Sequence, residues 1–123
     1  MPYHDFTEMP IWIKAMNIAV QIFELTSNLP RTEDYGLTSQ IRRSAESISA
    51  NIAEGLEGQS TKDFVSKLSI ALKEAVESRY WIDLLKETEY LTEEQYNIIN
   101  NDITELIKML TRIIKTTKEK MIN

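Results

Sequence analysis

No proline follows Pro30 in this chain of 123 residues; Pro2, Pro10 and Pro30 are all it has, and its only glycines are Gly36, Gly55 and Gly58. Proline and glycine are the residues that most reliably interrupt helices. A chain so poor in both can carry long, unbroken helices. Valine and isoleucine recur at helical spacing, not in the period-two alternation of a half-buried strand. The expected fold class is all-α.

Four segments follow from the start and stop signals, at about 9–27, 36–56, 60–88 and 92–118. The first stops before Asn28-Leu29-Pro30, and the second ends in the Gly55/Gly58 region. Ser60 and Asp63 open the third with an S-x-x-D capping pattern, and at about 1.5 Å per residue this helix runs to roughly 40 Å. Thr92 and Gln95 open the fourth as a capping box, with Leu91 and Tyr96 placed as a hydrophobic staple. Its apolar stripe of Tyr96, Ile99, Ile103, Leu106, Leu110 and Ile113 has the 3-4 spacing of bundles. Short connections make successive helices antiparallel. The expected architecture is one domain, an up-down-up-down antiparallel four-helix bundle.

Two helices carry more order than a bundle needs. In "QIRRSAESISANIAEG" (40–55) and its flanks, Leu37, Ile41, Ala45, Ile48, Ile52 and Leu56 form a core face. Gln40, Arg43, Ser47, Asn51 and Glu54 line up beside it as a polar stripe. Glu74 and Glu77 share a face of the third helix, beside Lys73 and ahead of Tyr80 and Trp81. Arg42 and Arg43 are expected to meet these two carboxylates, within one subunit or across an interface, and the stripe is expected to face another protein surface. Between Ile11 and Leu25 only Lys14, Asn17, Gln21 and Glu24 are polar, which is too narrow a polar face for the surface helix of a monomer. Ile11, Trp12, Ile18, Ile22 and Leu25 are therefore the candidates for burial against another subunit, and homo-oligomerisation is expected.

The formal charge of −5 does not suit bulk nucleic-acid binding, which shows a basic footprint. The charge is uneven, however: Lys108, Arg112, Lys115, Lys118 and Lys120 gather near the C-terminus against Glu119. Those bases complement the dipole of their own helix, and equally offer a patch to an acidic partner. Arg42, Arg43, Lys108, Arg112 and Lys115 are the candidate nucleic-acid contacts.

Nothing in the sequence carries catalysis. A di-iron bundle needs histidines on its helices, and the one histidine is His4, in the N-terminal lead. Ser44, Ser47 and Ser49 have no histidine base, and small residues on a helix serve close packing. Gly55 and Gly58 lack the spacing and the lysine of a phosphate-binding loop. There is no cysteine for a disulfide or a thiolate metal site. No apolar run approaches the roughly 18 residues of a membrane span, and no secretory leader opens the chain. The expectation is a non-enzymatic cytoplasmic protein without cofactor or metal.

"YGLTSQIRRSAESISANIAEG" followed by "STKDFVSKLSIALKEAVESRYWIDLL" resembles the four-helix-bundle family found in intervening sequences of bacterial 23S ribosomal RNA genes, earlier labelled the S23 ribosomal protein family. Trp12 with Ala15, and Leu29-Pro30 leading to Glu33, Tyr35, Gly36 and Leu37, fit the same pattern. Ser49 stands where the family often has proline, and Gln59 stands near a common arginine. The resemblance implies a homo-oligomeric bundle, a ring-like pentamer, with no assigned enzymatic activity. A related, basic bundle is the accessory protein of diversity-generating retroelements, a partner of reverse transcriptase and nucleic acid.

Overall fold

The computed structural model describes residues 5–122, so His4 lies outside the described residues. Four helices make up the described chain: α1 Pro10–Thr26, α2 Leu37–Leu56, α3 Thr61–Glu87 and α4 Glu93–Ile122. Short 3-10 turns at Phe6–Glu8 and Arg31–Glu33 precede α1 and α2. Each helix touches two others, α1 and α3 both contacting α2 and α4, with no packing across either diagonal. This is a square four-helix bundle. Its α2–α3 register is antiparallel, since Arg43, Ser44 and Glu54 meet Glu77, Ser78 and Lys67 respectively.

The helix boundaries follow local chemistry. Pro10 occupies the first helical position of α1, where its missing N–H would be unpaired anyway. The Asp63 N–H donates to Ser60 Oγ at 3.1 Å to start α3. At α4 the capping box closes in both directions: Gln95 N–H donates to Thr92 Oγ1 at 3.1 Å, and Thr92 N–H to Gln95 Oε1 at 2.9 Å. Helix α3 ends in a Schellman motif. Tyr90 N–H reaches the Leu85 carbonyl at 2.8 Å and Glu89 N–H the Lys86 carbonyl at 2.9 Å, with Glu89 in the left-handed region at φ 63°. Helix α4 runs past 118 to Ile122, because no glycine or proline stops it and Lys120 suits its C-terminal dipole.

The core is a layer of Ile and Leu interleaved with alanine. Ile18, Ile22, Ile41, Ile48, Ile52, Leu68, Ile82, Leu85, Ile99, Ile103, Leu106 and Leu110 are all fully buried. Ala15, Ala45, Ala71 and Ala75 are equally buried and let the helices approach closely. Gly55 lies inside α2 and does not end it: a Cβ there would come within 2.8 Å of Leu68 Cδ1 and 3.1 Å of Lys67 Cβ. Its role is close contact with α3. The α4 stripe finishes on the buried Ile114, with Ile113 only half-buried, since 3.6 residues per turn rotates a strict 3-4 pattern slowly off the core.

Candidate interaction surface

The polar stripe of α2 lies along the α2–α3 seam of its own chain. Arg43 Nη2 sits 3.2 Å from Glu77 Oε1 and also donates to Gln40 Oε1 at 3.3 Å. Trp81 Nε1 donates to the same Glu77 oxygen at 3.4 Å. Asn51 Nδ2 donates to the Ser47 carbonyl at 2.8 Å and to Ser47 Oγ at 3.0 Å. Glu54 Oε2 pairs with Lys67 Nζ at 3.0 Å. Within the chain, Arg43 and Glu54 reach α3 and Ser47 bonds with Asn51 along α2, so the contact of Arg43 with Glu77 forms within one subunit while Gln40, Arg43 and Glu54 stay exposed. Each exposed ion pair contributes at most about 1 kcal/mol, so the seam sets register more than stability.

Within that seam Glu74 stands apart. Its Oε2 is buried with no hydrogen-bond partner. Burial, and next the neighbouring Glu77 carboxylate, push its pKa up; the positive charges of Arg43 and Lys73 oppose the shift. No third acidic or histidine ligand joins it: among the described residues no group of three or more His, Cys, Asp or Glu side chains is arranged to hold a metal ion.

Arg42 behaves unlike its neighbour. Its Nε donates to Thr26 Oγ1 at 2.8 Å, its Nη2 to the Phe23 carbonyl at 3.3 Å, and its guanidinium lies 4.7 Å from the centre of the Phe23 ring. It caps the C-terminal end of α1, where a cation suits the helix dipole. The expectation that Arg42 meets Glu74 or Glu77 is corrected: its guanidinium is bonded to the end of α1 instead. Lys108, Arg112 and Lys115, in contrast, are exposed on α4 and enter no ion pair among the described residues.

The residues proposed from sequence to bury α1 against another subunit belong to its own bundle. Ile11, Ile18 and Ile22 are core residues, and Trp12 and Leu25 are half-buried against that core, Trp12 edge-on to Phe6 at 5.5 Å. Large apolar groups do face outward, but they are different ones: Ile13 is 50% exposed, Val20 47%, and Met16 and Phe23 37% each. The cause is where α1 directs its polar residues. Lys14 pairs with Glu105 at 3.2 Å and lies 3.8 Å from Asp102, while Gln21 Nε2 donates to Asp102 Oδ2 at 2.9 Å. These polar side chains close the α1–α4 seam, and the solvent side is left apolar. The i, i+3, i+7, i+10 spacing of Ile13, Met16, Val20 and Phe23 was available in the sequence, but the partner of Lys14 and Gln21 was not.

Met16, Val20 and Phe23 form the edge of a groove between α1 and α2. Its volume is about 310 Å³, and Met16, Ala19, Val20, Phe23 and Ser49 line it with Glu24 and Glu46. No helix among the described residues is long and apolar enough to cross a membrane.

Among curated proteins none matches the chain. Of the solved structures, one is similar over 85% of this chain and 95% of its own, with 48% identity and a TM-score of 0.79; it is described as a protein with unknown function from the S23 ribosomal protein family of Bacteroides thetaiotaomicron VPI-5482. Residues 7–112 match the family described as 23S rRNA-intervening sequence protein. With that match over most of the chain and a neighbour of the same fold, the chain belongs to the 23S rRNA-intervening sequence protein family.

Proposed function

We propose that the chain is a non-enzymatic cytoplasmic interaction module that works as a homo-oligomer, a ring of five copies in keeping with the family resemblance, and presents a composite surface to a protein partner. The observation that carries this reading is the outer face of α1. Four large apolar side chains stand there in one helical row. These side chains are 37–50% exposed, so covering what remains contributes about 0.6–1.5 kcal/mol each, an apolar centre to which the surrounding interface adds. Native mass spectrometry of the purified chain tests it. A fivefold mass is expected, and a monomer at all concentrations overturns the reading.

A second reading, an RNA- or DNA-binding accessory, is favoured by one feature: the unpaired Lys108, Arg112 and Lys115 on the outer face of α4. Arg43, committed to Glu77, and Arg42, committed to α1, add little to it. A ring would multiply so small a patch by avidity. The expected signature is binding that weakens steeply with salt, with a log–log slope of about −0.9 per phosphate contacted on duplex DNA. Salt-independent binding, or extra mass that survives nuclease, rules this reading out.

A further inference from the structure

We infer that the α1–α2 groove of one copy is filled by the α3–α4 edge of a second copy, so that subunits join head to tail. This rests on the oligomeric reading above and adds which two surfaces meet.

The two surfaces complement one another in shape class and in charge. The first is the groove over Met16, Ala19, Val20 and Phe23, flanked by the carboxylates of Glu24 and Glu46. The second is a groove of about 340 Å³ between α3 and α4, over Leu72, Thr111 and Ile114, flanked by the ammonium groups of Lys115 and Lys118, with Glu119 beside them. Among the described residues Glu24, Glu46, Lys115 and Lys118 all lack an ion-pair partner within their own chain. Arg42, whose guanidinium lies over the Phe23 ring beside the first groove, is held by Thr26 and the Phe23 carbonyl. Each groove thus has an apolar floor, and the balance of charge at their edges is opposite: two carboxylates against the Arg42 guanidinium at the first, two ammonium groups against the Glu119 carboxylate at the second.

Pairing either groove with itself sets like charges against each other, Glu24 and Glu46 on Glu24 and Glu46, or Lys115 and Lys118 on Lys115 and Lys118. Such juxtaposition costs affinity and suppresses the wrong partner. Pairing the two different grooves joins opposite charges around an apolar centre. Because α1–α2 and α3–α4 lie on opposite sides of the square bundle, every copy then offers one face of each kind. An interface between unlike faces is heterologous, and it closes into a ring when the rotation between copies divides a full turn. The same geometry explains why a closed dimer is not the expected product.

Charge reversal tests the pairing on the full chain. The E24K/E46K variant and the K115E/K118E variant should each lose assembly by at least about tenfold in sedimentation velocity, because each sets like charges across the contact. The fourfold variant carrying both pairs of changes should assemble again, since opposite charges face one another once more. All four side chains lie on exposed positions, and circular dichroism with a melting curve confirms that each variant keeps its fold. If both double variants assemble like the parent chain, the pairing is wrong while the oligomeric reading stands. If the doubles dissociate and the fourfold variant does not recover, the faces matter but do not meet each other, and the inference fails. A parent chain that runs as a monomer leaves α1 to a different protein and overturns both.

Discussion

Helices α1 and α4 occupy neighbouring corners of the same bundle, yet their outer faces are opposites. On α4 the exposed side is mostly polar, with Glu94, Asn97, Asn101, Lys108, Arg112 and Lys115 beside the apolar Ile98; on α1 the exposed row is Ile13, Met16, Val20 and Phe23. Both helices bury an apolar stripe, of isoleucine and alanine on α1 and of isoleucine and leucine on α4. What differs is where their polar residues go. Helix α1 turns Lys14 and Gln21 onto α4, where they meet Glu105 and Asp102, and keeps only Asn17 and Glu24 as polar groups on the solvent side. Helix α4 has polar residues for both purposes. A surface is therefore marked for a partner less by how apolar the helix is than by which of its sides the polar residues serve.

The largest way to sharpen that contrast is to cut the two sides of α1 separately. Ile22→Ala removes a fully buried side chain and should cost about 3 kcal/mol in urea unfolding. Val20→Ala, two residues away on the outer side, should leave the unfolding of the isolated chain unchanged within about 0.5 kcal/mol. Equal losses at the two positions would erase the distinction between the faces.

A middle-sized effect is expected where α4 begins. Helix α1 starts without a side-chain cap, whereas α4 has its Thr92–Gln95 box, so Thr92→Ala should destabilise by about 1 kcal/mol. A null result in thermal melts would mean that packing alone fixes the start of α4, as it does for α1.

The smallest effect concerns the α2–α3 seam, which is closed by polar groups as the α1–α4 seam is. Glu74 has its pKa raised by burial and by Glu77, so between the ordinary glutamate range and that raised value the folded chain binds more protons than the unfolded one. Stability therefore falls as pH rises through that window, and the cost persists above it. Glu74→Gln should remove the cost, raising stability at neutral pH by up to about 1 kcal/mol, the scale of one unsatisfied buried acceptor. Below the ordinary glutamate range the variant and the parent should melt together. A variant that is less stable at neutral pH would show that the Glu74 charge is used in the seam.

Most of the fold is legible in the sequence because its signals are local. The absence of proline after Pro30, the Ser60 and Thr92 caps and the 3-4 spacing of Ile99, Ile103, Leu106 and Leu110 all act within a few residues. The Arg43–Glu77 contact was also readable, since an antiparallel α2–α3 pair brings those positions level. The surfaces were harder. Arg42 and Arg43 are identical neighbours, but one turns to Thr26 and the other to Glu77, and only the packed positions of α1 and α3 separate them. For α1 the surplus of apolar residues is plain, yet its sequence alone does not separate the buried Ile18 and Ile22 from the outward Ile13, Met16, Val20 and Phe23. That choice depends on Asp102 and Glu105, which lie far along the chain and leave no local trace at Lys14 or Gln21.

Sedimentation velocity of the full chain beside its Val20→Asp variant is the most direct measurement of whether the outer face of α1 holds subunits together. The expected result is an assembled parent and a dissociated variant of unchanged helicity. A variant that sediments with the parent, or a parent that is itself a monomer, would contradict the assignment of that face.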